Sequence, residues 1–228
     1  MSEQKQNVIT IDGPSGVGKS IVSKKVAAGV GFTYLDTGAM YRAVGLYFKR
    51  FSIQIDNEKD ISAALKSLDL QLIPAKDEQS DVGVVINGQN VTDLIRTPEV
   101  AMIASRVSAV PLVREVLTQI QRKIGKKGGI VAEGRDTGTV VFPSAAYKFF
   151  LDANPEVRAR RRFEQLAERG VATNVSEVLA LTLERDQNDR NRPVAPLKKA
   201  NDAVYIDTTE ISVEDVVSKI LGIIKDSK

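Results

Sequence analysis

The sequence predicts an open α/β fold carrying a small inserted antiparallel sheet and a hinged pair of helices. Three observations predict it. First, the β-branched run Val8-Ile9-Thr10-Ile11 leads into a glycine-rich stretch, residues 13–20 (GPSGVGKS). Ile21, Val22, Val26 and Ala27 follow at helical spacing. Strand, glycine loop and helix in that order open an α/β unit. Second, residues 70–92 break the rhythm with period-two alternation and an Asn87-Gly88 pair, the strongest short hairpin signal. Third, arginines cluster on two successive helical stretches late in the chain.

The elements follow in order. A helix begins near Lys19, and Phe32-Thr33-Tyr34-Leu35 is a short strand. A helix then starts near Gly38, its stripe formed by Ala43, Val44, Leu46, Tyr47 and Phe51. Residues 61–68 form a further short helix. Residues 70–73, 81–86 and 89–92 are the three strands of the inserted sheet. Pro98 and Pro111 each open a helix, where the missing N–H costs nothing. Ile130-Val131-Ala132 is a brief strand and residues 147–151 another. Asn154-Pro155 caps and starts one arginine-bearing helix, and Asn174 with Glu177 forms a capping box for the next. The prolines at 193 and 196 break that helix. Residues 203–206 are the last strand, and Ser212 caps a final amphipathic helix.

Residues 13–20 fit G-x-x-x-x-G-K-[ST] at every fixed position. Gly13, Gly16 and Gly18 allow a tight turn, so the loop's backbone N–H groups can face phosphate oxygens. The helix start adds its positive end, Lys19 brings a mobile cation, and the Ser20 hydroxyl suits Mg²⁺. This predicts a nucleoside triphosphate site. Glu133-Gly134-Arg135-Asp136 leaves a strand at its carboxyl end, where open α/β sheets bind ligands. Glu133 stands where a carboxylate could hold Mg²⁺ through water, and Arg135 and Asp136 could address substrate. The alternative is a surface ion-pair turn. Tyr41 and Arg42 stand beside another strand end, and for Tyr41 alone half-buried packing is the alternative. Arg158, Arg161 and Arg162 share one helix face; Arg185, Asp189 and Arg192 share another. The bland alternative is a solvated face with pairs such as Asp186 and Arg190. Beside a phosphate loop, two arginine faces suit phosphoryl transfer, which needs positive charge around the moving group.

With 228 residues the chain can build one sizeable core with an inserted subdomain. It has no cysteine and no histidine, which excludes disulfides, thiolate nucleophiles, imidazole bases and Cys/His metal sites. Any metal must take oxygen ligands, which favours Mg²⁺. A net charge of +3 argues against a general nucleic-acid binder. Residues 1–7 are polar and no apolar run approaches membrane-spanning length, so a cytoplasmic protein without membrane contact is expected.

Taken together, VITIDGPSGVGKS, LDTGAMYR, EGRDTGTVVFP, RDQNDRNRPVAPL and DAVYIDTT resemble the bacterial cytidylate kinases, in the right order and over nearly the whole chain. The resemblance implies the nucleoside monophosphate kinase fold of P-loop kinases, with five parallel strands between two helical layers. It also implies one domain, with a monophosphate-binding insertion at about 37–112 and a mobile lid at about 157–192. The implied reaction moves the γ-phosphoryl group of ATP to CMP or dCMP, with Mg²⁺, in a cytoplasmic monomer. By matching position, residues 13–20 (Gly13, Pro14, Ser15, Gly16, Val17, Gly18, Lys19, Ser20) bind ATP and Mg²⁺. Thr37, Tyr41 and Arg42 surround the monophosphate, with Arg42, Arg135 and Arg192 on its phosphate. Ser105, Arg114 and Asp136 approach cytosine, and Arg185 and Asp189 face the ribose. Arg158, Arg161 and Arg162 reach the ATP phosphates from the lid, and the Thr208-Thr209 turn sits near adenine. Two departures stand out: Ile21 where relatives usually carry Thr, and Asn188 where some carry Arg. The competing readings are another P-loop kinase, such as a uridylate or shikimate kinase, and a nucleotide-binding switch without catalysis. The chain has neither an NKxD nor a DxxG motif to support the switch.

Overall fold

A computed structural model describes residues 5–75, 77, 80–168 and 170–226. Residues 1–4 of the polar amino terminus lie outside them. A parallel sheet of five strands organises the chain. Its strands are β1 (Gln6–Asp12), β2 (Thr33–Asp36), β6 (Ile130–Gly134), β7 (Ala145–Asp152) and β8 (Val204–Asp207). The spatial order is β2-β6-β1-β7-β8. β1 is central and pairs in parallel with β6 and, after a register shift between Gln6 and Ile9, with β7, so Asp12, Gly134 and Phe150 lie side by side. All five carboxyl ends therefore meet one edge, where crossover connections leave a crevice.

Between β2 and β6 runs the inserted part. It holds α2 (Thr37–Arg50), α3 (Glu58–Lys66), β3 (Leu70–Ile73), β4 (Gly83–Ile86), β5 (Gln89–Asn90), α4 (Pro98–Val107) and α5 (Pro111–Gly125). β3, β4 and β5 form the expected antiparallel sheet, shorter at β5 than the sequence predicts. The Asn87-Gly88 turn has φ of 48° and 78°, the left-handed pair a tight hairpin needs. This sheet packs with α2, α4 and α5 through Met40, Val44, Phe48, Val84, Ile95 and Leu117, all buried. A second core lies between the main sheet and two helices, α1 (Lys19–Val30) and α8 (Val213–Asp226). There Ile9, Ile11, Val22, Val26, Ile206 and Ile220 are almost wholly removed from water. At roughly 1.5–3 kcal/mol per buried aliphatic side chain, these two cores supply the main favourable term.

The arginine helices are α6 (Pro155–Glu168) and α7 (Val175–Asn191). They pack on each other through a small cluster, Ala159, Leu166 and Val178. That interface is slight beside the other two cores.

Candidate active site

The phosphate loop follows β1 directly. Gly13, Gly16 and Gly18 have φ of 149°, 85° and 88°. At Gly13 the demand is also spatial: a Cβ there would sit 2.0 Å from the Leu151 carbonyl oxygen. α1 begins at Lys19 with no side-chain cap, so its first N–H groups face the crevice. Lys19 Nζ donates to the Pro14 carbonyl at 2.5 Å, curling back over its own loop. Burial, then Arg135 and Arg185, push its ammonium well below the usual lysine range.

The Ser20 hydroxyl donates to Glu133 Oε1 at 2.8 Å. Glu133 Oε2 has no hydrogen-bond partner among the described residues. Burial and the neighbouring Asp36 push this carboxyl up, while Lys19 opposes them. An exposed serine hydroxyl on a buried carboxylate with one oxygen unsatisfied is an oxygen-only donor set, and it fits Mg²⁺. No cluster of three acidic side chains able to cage a metal occurs among the described residues.

Two segments missed by sequence reasoning brace this floor. Asp12 is buried at the end of β1. Its Oδ1 accepts from the Thr137 N–H (2.9 Å) and the Thr137 hydroxyl (2.8 Å), and its Oδ2 from the Gly138 N–H (2.7 Å). Burial pushes its carboxyl up to about 6, against those three donors. Asp12 thereby ties the phosphate loop to the single π-helical turn Thr137–Val141 that follows Asp136. Asp36 caps α2 by accepting from Ala39 N at 2.8 Å and also accepts from Arg42 Nη2 at 2.8 Å. Burial would raise its carboxyl, but Arg42 and the Ala39 N–H outweigh burial and hold it below the usual range.

The arginines divide into bound and uncommitted. Arg135 Nε donates to Asp189 Oδ2 at 2.8 Å; burial works against its charge, and Asp189 more than restores it. Arg185 is half-buried; among the described residues it hydrogen-bonds Ser15 Oγ, at 3.4 Å, its Nε has no hydrogen-bond partner, and Asp189 acts on it electrostatically. Burial and then Arg135 push it down to about 10. Lys19, Arg135 and Arg185 thus repel one another at the mouth of the phosphate loop. Glu133 and Asp12 beside Lys19, and Asp189 beside Arg135 and Arg185, offset part of that repulsion. Arg161 donates to the Thr208 carbonyl at 2.7 Å, fastening α6 to the turn after β8. Arg162 lines the crevice beside it.

Arg158 corrects the sequence reading. It is 1% exposed and does not line the crevice. Its guanidinium donates to both oxygens of Asp186 (3.1 and 2.5 Å) and to the carbonyls of Ala153 (2.9 Å) and Ser15 (3.1 Å). With those donors committed it holds α6 and α7 onto the phosphate loop rather than reaching ATP phosphates. Asp186 pairs here, not with Arg190.

Across the crevice, Asp136 Oδ2 accepts from Arg114 Nη2 at 2.5 Å and Oδ1 from Arg192 Nη2 at 3.2 Å. Arg114 lies over the Tyr41 ring, 5.3 Å from its centroid. Burial pushes the Tyr41 phenol up to about 12. The Thr37 hydroxyl donates to the Glu133 carbonyl at 2.6 Å. Thr37, Tyr41, Arg42, Ser105, Arg114, Arg135, Asp136, Asp189 and Arg192 line the same cavity as Lys19, Ser20 and Thr208. Its volume is about 1490 Å³. That exceeds the roughly 300–1,000 Å³ of a site for one small ligand.

A glycine loop and helix start at the carboxyl edge of a parallel sheet, opening on a large crevice lined by lysine and arginine side chains, define a P-loop kinase. Solved structures agree on the fold. A protein from Eubacterium ventriosum superposes with a TM-score of 0.52 at 14% identity, over 98% of this chain and 100% of its own. One from Chloroflexus aurantiacus gives 0.50 at 14%, over 100% of both. The sequence profile of the cytidylate kinase family matches residues 9–226. The cytidylate kinase of Fervidobacterium nodosum is 50% identical over 218 residues, 96% of each chain. That of Carboxydothermus hydrogenoformans is 47% identical over 216 residues, 95% of this chain and 96% of the relative. The chain belongs to the cytidylate kinase family. It is an ATP-dependent phosphotransferase acting on CMP or dCMP.

Proposed function

We propose that the crevice works as two facing subsites, ATP on residues 13–20 and the monophosphate between Arg42, Asp136 and Arg192. The observation that carries this is the shared cavity, lined by Lys19, Arg135 and Arg185 between its two halves. An oxygen of the acceptor phosphate attacks the γ-phosphorus, the bond to the β–γ bridging oxygen breaks, and ADP leaves. The protein's part is positioning and charge. Lys19 leaves the Pro14 carbonyl for the β/γ-phosphates. Arg135, Arg185 and Arg162 surround the moving group, and Arg42 and Arg192 hold the acceptor's phosphate. Mg²⁺, held by Ser20 directly and by Glu133 through water, would neutralise phosphate charge. Asp189 orients Arg135 and faces the ribose together with Arg185.

The base is read by Asp136 and Arg114. An ionised carboxylate only accepts, which suits the N4 amino group of cytosine; a guanidinium only donates, which suits N3 or O2. Ser105 can do either and discriminates less. Arg161 and the Thr208-Thr209 turn flank the adenine side. The insertion (about 37–112) and the lid (about 157–192) close over the two nucleotides and exclude water. The enzyme acts as a cytoplasmic monomer, without nucleic acid or membrane partners. Among the described residues no helix is long and apolar enough to cross a membrane.

Closure has a direct test. With CMP and a non-hydrolysable ATP analogue both saturating, amide exchange across residues 158–192 should slow by at least about tenfold relative to either ligand alone. Equal exchange in all states would leave α6 and α7 as a static arm.

A further inference from the structure

Arg96 ends a short 3₁₀ turn, Leu94–Arg96, at the base of α4, and its side chain lines the crevice. Its Nη1 forms an ion pair with Asp81 Oδ2 at 3.1 Å. The other oxygen, Asp81 Oδ1, accepts from Lys24 Nζ of α1 at 2.5 Å. One carboxylate therefore serves two cations, one on the insertion and one on the helix that follows the phosphate loop. The Nε and Nη2 of Arg96 are shut from solvent with no hydrogen-bond partner among the described residues. Those two nitrogens form the side-on edge of the guanidinium, the edge that takes two phosphate oxygens at once. Leaving it unsatisfied costs free energy that an incoming anion would recover. Arg96 acts electrostatically on Asp36, whose carboxylate holds Arg42. Both arginines thus stand around one end of the acceptor side, while Asp81 is 42% exposed at its side chain and free to yield.

Resting on the acceptor reading above, we propose that Arg96 is a further ligand of the acceptor's phosphate and that Asp81 is its placeholder. Without nucleotide, Asp81 neutralises Arg96 and Lys24. When the monophosphate arrives, Arg96 turns its Nε–Nη2 edge to the phosphate and slackens its hold on Asp81. The contact recognises phosphate alone, so it serves any monophosphate that fits the base corner.

Calorimetric titration of CMP and of cytidine into the full-length protein tests this. Arg96→Ala should weaken CMP by about ten- to a hundredfold, one charge-assisted bidentate contact, and leave cytidine unchanged. Arg96→Lys should restore part of the loss. Asp81→Asn removes the competitor and should leave CMP binding as tight as wild type or tighter, with Tm for all variants measured alongside. Equal losses for CMP and cytidine, or a loss of CMP affinity in Asp81→Asn matching that of Arg96→Ala, would make the group a clasp between insertion and core and overturn the proposal. Unchanged CMP affinity in Arg96→Ala would also overturn it, with the acceptor reading intact as long as wild type binds CMP more tightly than cytidine. A wild type that binds the two equally would sink the acceptor reading itself.

Discussion

Lys19→Ala should lower kcat by at least about a thousandfold while the protein stays folded. The side chain packs against no apolar core; its ammonium bonds only the Pro14 carbonyl of its own loop, beside Arg135 and Arg185 that repel it. Removing it takes away the charge that the β/γ-phosphates meet in the transition state. Stopped assays of ADP formation, with Tm as the control for folding, measure both. A folded variant that keeps most of its turnover would mean that residues 13–20 do not carry the triphosphate.

The largest stability effect should come from Arg158→Ala. Removal strands Asp186 in a buried site and frees the Ala153 and Ser15 carbonyls. Breaking a buried pair from one side costs about 3–5 kcal/mol. For a chain of this size that lowers Tm by roughly 6–20 °C. The double variant Arg158→Met/Asp186→Leu should recover most of the loss, because it removes both charges and refills the space. Thermal unfolding of the three proteins decides it. A single variant with wild-type Tm and only weakened ATP binding would return Arg158 to the role the sequence suggested.

Arg158 also shows where the sequence stops being legible. Helical spacing puts Arg158, Arg161 and Arg162 on one face, and that is correct. It does not say that the face is divided, with Arg158 turned into Asp186 and Arg161 onto the Thr208 carbonyl. Those partners lie 28 and 47 residues away, and tertiary packing chooses them. The phosphate loop was readable because every requirement is local: glycines at positive φ, a strand before and a helix after. The hairpin at Asn87-Gly88 was readable for the same reason. Asp12 was not, since nothing near it in sequence predicts three donors from residues 137 and 138. The π-helical turn that supplies those donors has no sequence signature of its own. Asp81 was likewise invisible, because its two cations come from α1 and from the turn before α4. The cations and the base-reading residues were proposed through motif resemblance; apart from Arg158 they line one crevice.

The central claim is that this crevice selects cytosine. In uracil, O4 replaces the N4 amino group and would face the Asp136 carboxylate, acceptor against acceptor. A polar group left unpaired in a closed site costs about 1–3 kcal/mol. The measurement is kcat/KM for CMP, dCMP and UMP on wild type and Asp136→Asn, by coupled ADP release. Wild type should favour CMP and dCMP over UMP by at least about ten- to a hundredfold. Asp136→Asn, able to offer an N–H to O4, should narrow that gap mainly by losing CMP activity. Equal efficiency on CMP and UMP in wild type would contradict the account, and a gap unchanged in Asp136→Asn would take base reading away from the Asp136–Arg114 corner.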